Sequence, residues 1–88
     1  MDLNELVRGT MDDHRPQFER NEVRLESHFA AEPVFVHGDW HRLTQMVGNL
    51  LQNTAKFTGP GGCTRVSVST DTDTKWAVVR VAESISWL

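Results

Sequence analysis

No apolar run in this 88-residue chain approaches the ~20 residues needed to cross a bilayer, and its first residues lack a signal-peptide pattern. No lysine–arginine cluster is present to neutralise phosphates, and with a formal charge of −3 nothing points to nucleic acid as a partner. Cysteine occurs once, as Cys63. That excludes an internal disulfide framework and fits a reducing, cytoplasmic setting. Repeats, linkers and low-complexity stretches are also missing. The 39% hydrophobic and 24% charged content is that of a soluble globular chain rather than a disordered one. The length allows one domain with a single core of modest stability.

Local signals divide the chain. Asp2 can cap a first helix running to about Glu22, on which Leu3, Leu6, Val7, Met11 and Phe18 recur at helical spacing. Pro16 lies inside it and should kink or split it. Val23 to Phe29 partly alternates and reads as a strand, and Val34-Phe35-Val36 after Pro33 reads as another. Asp39 is a good N-cap for a helix from Trp40 to about Phe57, which Gly59-Pro60-Gly61-Gly62 stops. Thr64, Val66 and Val68, then Ala77, Val79 and Val81, alternate with more polar neighbours across Asp71-Thr72-Asp73-Thr74, predicting a hairpin. The order helix, strand, strand, helix, strand, strand predicts an α+β fold, a two-layer α/β sandwich whose mixed sheet carries both helices on one face.

The second helix has two faces. Leu43, Met46, Val47, Leu50, Leu51 and Thr54 gather on one side, which reads as core. Arg42, Gln45, Asn49, Asn53 and Lys56 form a separate stripe. Asparagine is a mediocre helix former because its amide competes for the backbone, so two of them one turn apart suggest a use for neutral oxygen ligands. A carboxamide oxygen suits Mg²⁺, and a lysine one turn on can pair with phosphate. On spacing alone, a plain solvated face remains the commoner reading.

The string Gly38-Asp39-Trp40-His41-Arg42-Leu43 through Asn49-Leu50-Leu51-Gln52-Asn53-Thr54-Ala55-Lys56-Phe57-Thr58 to Gly61-Gly62 resembles the asparagine box of bacterial sensor histidine kinases. Asp2-Leu3-Asn4-Glu5-Leu6-Val7 and Arg15-Pro16-Gln17 are similar to the opening of the same ATP-binding catalytic domain, so the resemblance runs from about residue 2 to residue 83. It implies a mixed sheet backed by helices that holds ATP and Mg²⁺ for phosphorylating a histidine on a separate helical domain. By position, Asn49 would be the catalytic and metal-facing residue. Asn53 would share the metal and phosphates, and Lys56 would hold the phosphate chain. A histidine-bearing dimerisation domain and a response regulator are the implied partners. The match departs at Trp40, where proline is frequent, and at Thr54, where alanine is usual.

A larger departure follows. The family's first glycine box is Asp-x-Gly-x-Gly, whose aspartate accepts a hydrogen bond from the adenine amino group. Here the residues read Glu83-Ser84-Ile85-Ser86-Trp87. Glu83 keeps a carboxylate with one methylene more, while Ile85 and Trp87 stand where glycines belong. The lid and second glycine box are missing from the 88 residues. Residues 1–88 are therefore expected to be part of a histidine-kinase ATP-binding domain, with an asparagine box over 39–62 and a degenerate glycine box over 83–88. The chain alone is expected to bind nucleotide weakly or not at all and not to turn over ATP. The alternative is a non-catalytic module that binds a partner or a second copy through an open sheet edge.

Other candidates are weaker. His14, in Asp13-His14-Arg15-Pro16, lacks the acidic residue that follows a phosphoacceptor histidine and is expected on the surface. His37, Asp39 and His41 have no recognised zinc spacing. Cys63 has no partner cysteine and is expected as a partly buried thiol. Phe57 and Trp76 are expected in the core or at the sheet edge.

Overall fold

The computed structural model describes residues 1–74 and 76–84, with Glu83 and Ser84 described by their backbone alone. The degenerate-box residues Ile85, Ser86 and Trp87 lie outside the described residues.

Helix α1 (Leu3–Arg20) starts where Asp2 accepts the Asn4 amide at 3.0 Å, a cap that satisfies one orphan donor of the first turn. Its inward residues Leu3, Leu6, Val7, Met11 and Phe18 are all buried. Pro16 neither splits nor ends it. The helix runs through because Pro16 and Asp12, whose carbonyl loses its intrahelical donor, are both exposed to solvent. It ends near the expected boundary with Glu22 in the left-handed region at φ 58°, where the Glu22 amide bonds Glu19 O at 3.1 Å.

Strand β1 (Arg24–His28) follows, then α2 (Trp40–Phe57), β2 (Cys63–Thr70) and β3 (Ala77–Ser84). The sheet order is β1-β2-β3, with β1 parallel and β3 antiparallel to β2. The β1–α2–β2 crossover supplies the parallel pair, and the 71–76 turn closes the hairpin with Asp71 N donating to Trp76 O at 2.8 Å. Thr64, Val66 and Val68 point inward and are buried, and both helices pack on that face, giving the expected α+β sandwich. Arg24, Glu26 and Arg65 stand on the other face, where Glu26 pairs with both arginines at 3.6 and 3.4 Å.

The expected second strand takes another form. Val34–Val36 is extended, but it pairs with the chain's first residues rather than entering the sheet. Leu3 N donates to Val34 O at 2.7 Å and Val36 N to Met1 O at 2.9 Å, around a single antiparallel bridge between Asp2 and Phe35. Asp2 Oδ1 also accepts Val34 N at 3.1 Å, and Asn4 holds Ala30 O and Glu32 O at 3.2 Å each. One acidic cap thus starts α1 and anchors the loop that leads to α2. Among the described residues no helix is long and apolar enough to cross a membrane.

Candidate functional site

Helix α2 carries the site, so its placement matters most. Asp39 Oδ1 accepts His41 N at 2.9 Å and Arg42 N at 3.4 Å. That capping role commits the Asp39 carboxylate to the helix start rather than to a site with His37 and His41. The cap starts the helix at Trp40 and so sets which residues face inward.

Val47, Leu51 and Ala55 turn toward the core, and Gly48 is buried against α1. A Cβ on Gly48 would stand 3.2 Å from His14 Cε1, so a side chain there would press on the ring. His14 itself is half-buried rather than free on the surface, its Nδ1 lying 2.9 Å from Thr10 O. Asn21 Nδ2 donates to Ala55 O at 2.9 Å and ties the end of α1 to the last turn of α2.

On the far side, Asn49, Asn53 and Lys56 are exposed. At about 100° per residue they fall on one stripe nearly opposite the core. Neither asparagine side chain has a hydrogen-bond partner among the described residues, so both amide oxygens are open to a ligand. Lys56 is placed differently from its neighbours. Its ammonium lies 5.7 Å from the Phe57 ring centroid. The residue lines a hollow of about 550 Å³ with Arg20, Asn21 and Glu22, a hollow that includes neither Asn49 nor Asn53. Thr54, the alanine position of the resemblance, bonds back to Leu50 O at 2.8 Å and leaves the helix unbroken. Glu83 falls on β3 directly opposite Thr64, and Thr64 is wholly buried with no partner for its Oγ1 among the described residues.

Two expectations about the apolar residues need correction. Met46 and Leu50 are 61% and 49% exposed, not core, and Phe57 is 72% exposed. Together they form an apolar strip about 120° round the helix from the core line, beside the asparagines. Trp76 is likewise exposed rather than packed. The strip was legible in principle. Met46, Leu50 and Phe57 follow a helical line of their own, separate from Val47, Leu51 and Ala55, and the whole apolar arc is too wide for one contact. Side by side, the two stripes present amide oxygens suited to a metal and amide N–H groups suited to a phosphate next to an apolar wall for a flat, weakly polar group.

Cys63 is half-buried on β2. Partial burial, helped by the neighbouring Glu26 carboxylate, pushes its thiol pKa up from the ordinary 9.0, the opposite of what a nucleophilic thiolate needs.

Comparison with known proteins places these features. No family model matches the chain. It is 36% identical over 62 residues to the adaptive-response sensory kinase SasA of Thermosynechococcus vestitus, a match that takes in 70% of this chain and 16% of that protein. Among solved structures, a nucleotide-free catalytic domain of histidine kinase ThkA superposes with a TM-score of 0.85 at 26% identity, over 97% of this chain and 58% of that one. The mycobacterial sensor histidine kinase MprB superposes with a TM-score of 0.70 at 28% identity, over 81% of this chain and 44% of its own. ThkA crystallised with the response regulator TrrA has the same fold, with a TM-score of 0.84 at 24% identity, over 96% and 25% of the two chains. The chain thus spans a minor part of the curated relative and little more than half of the solved catalytic domain.

Proposed function

Because this chain belongs to the ATP-binding catalytic domains of bacterial sensor histidine kinases, we propose that it forms the asparagine-bearing side of a Mg²⁺–ATP site serving a cytoplasmic two-component phosphorelay. The observation that carries this reading is the pair Asn49 and Asn53, exposed one turn apart on α2 with uncommitted amides. The donor set fits the cation. Carboxamide oxygens are hard, neutral ligands, and Mg²⁺ takes few protein ligands and fills its octahedron with water and phosphate oxygens. When bound, the ion neutralises phosphate charge for transfer to a histidine. In this chain, Asn49 and Asn53 would hold it.

Lys56 would hold the phosphate chain after swinging away from Phe57. Its long flexible stem makes that a rotamer change only. The exposed Met46–Leu50–Phe57 strip would line the route toward Glu83, which stands in for the adenine-reading aspartate. The substituted residues after Glu83 argue for weak binding and for no turnover by the chain alone. The histidine-bearing domain and response regulator are the partners this reading requires.

A two-dimensional amide NMR titration with Mg-ADP tests it. Shifts centred on the Asn49 and Asn53 side-chain amides and on Lys56, saturating at millimolar nucleotide, are expected. A dispersed spectrum in which these resonances do not move overturns the reading, and micromolar affinity overturns the claim of a weakened site.

One observation favours a second reading. The outer edge of β3 pairs with no strand among the described residues, and the apolar strip of α2 stays open to solvent. An open strand edge of this kind can pair with a second copy, although Arg80 on the strand works against it. A monomeric mass at all accessible concentrations in analytical ultracentrifugation rejects it.

A further inference from the structure

Trp40 is one of the places where the chain departs from the family pattern, and the site on α2 makes no use of it. It occupies the first position of α2 with 47% of its surface exposed. The residue walls a hollow of about 250 Å³ between α1 and the start of α2, whose other lining residues are Leu6, Gly9, Thr10, Asp13 and Thr44.

Three features make the hollow more than a crease. Asp13 has no ion-pair partner among the described residues, whereas its neighbour Asp12 is paired with Arg15 at 3.2 Å. Thr44 Oγ1 is buried with no hydrogen-bond partner among the described residues. Gly9 leaves the floor open, since a Cβ there would meet nothing within 4 Å. The positive end of α2 lies nearby, but the Asp39 carboxylate already accepts two of its amides and offsets that charge.

Size and chemistry then select the occupant. A volume below the roughly 300–1,000 Å³ of small-molecule sites suits one side chain rather than a cofactor. An indole and an unpaired carboxylate together favour a planar cation. A guanidinium stacks on the ring while its fork of N–H groups reaches the carboxylate, which an ammonium cannot match. The chain's formal charge of −3 draws a basic partner toward it. We propose that this hollow receives an arginine side chain from a basic segment of a partner protein.

The test titrates the ¹⁵N-labelled chain with N-acetyl-arginine amide and, separately, with N-acetyl-citrulline amide, which keeps the shape and lacks the charge. The arginine probe should shift the Trp40 indole N–H and the Gly9, Thr10 and Thr44 amides, saturating at millimolar concentration, and citrulline should not. Trp40→Pro is a fold-safe variant because proline suits the first position of a helix. It should weaken arginine binding about fivefold or more, and Asp13→Asn about two- to fivefold. No response to arginine, an equal response to citrulline, or an arginine response unchanged in Trp40→Pro overturns the proposal.

Discussion

Thr64 is an unusual member of the core, and replacing it with valine should make the protein more stable. The residue has 0% exposure and its Oγ1 has no hydrogen-bond partner among the described residues. It sits on β2 next to Val66, itself fully buried. Water solvates that hydroxyl in the unfolded chain, and among the described residues nothing replaces the lost bond on folding. An unsatisfied buried hydroxyl costs about 1–3 kcal/mol. Valine fills nearly the same volume without the polar atom and is equally at home in a strand. A gain of about 1–2 kcal/mol is therefore expected for Thr64→Val, which in a domain of this size corresponds to roughly 5–15 °C in Tm. The reciprocal change, Val66→Thr, places a hydroxyl in the same dry layer and should cost about 1–3 kcal/mol. Both are read from urea unfolding followed by circular dichroism, with the m value checked for constancy. A destabilised Thr64→Val would refute the reasoning, since it would mean that the hydroxyl has a partner in solution. If the stabilised variant also bound Mg-ADP more weakly than the parent chain, the hydroxyl would have a use at the Glu83 end of the site.

Glu22→Gly should add about 1 kcal/mol, because the residue sits at φ 58°, where a side chain is strained and glycine is not; unchanged thermal unfolding would contradict this. For Cys63 the pKa is raised in the fold, so its alkylation by iodoacetamide should lag behind that of the unfolded chain near pH 9 and catch up above it. The linkage has the same sign. The folded state binds the thiol proton more tightly, so that share of stability is present below the unfolded pKa and is lost as pH rises through the folded one. Glu26→Gln should bring the alkylation profile back toward lower pH.

Much of this protein is written in short stretches of its sequence. Asp2 and Asp39 announce helix starts because a carboxylate one or two residues ahead of free amides acts locally, and both caps are present. The inward set of α1 and the alternation of Thr64, Val66 and Val68 follow from backbone periods alone, and all of those residues are buried. The asparagine stripe was legible for the same reason, since a helix of known register fixes which residues share a side.

What lay beyond local reading is what covers each surface, since that depends on residues distant along the chain. Met46 and Leu50 read as core because they are apolar and helical in spacing, yet among the described residues nothing lies over them. Pro16 read as a break, but a helix packed along Leu6, Met11 and Phe18 holds through one missing hydrogen bond on its wet side. Val34–Val36 read as a sheet strand, and only the folded chain shows the segment that pairs with it, the first residues of the protein. Lys56 belongs to the asparagine stripe by register, but its side chain joins Arg20 and Phe57 because side-chain position answers to neighbours in space. Periodicity assigns each residue a direction; only the tertiary fold decides whether protein or water waits there.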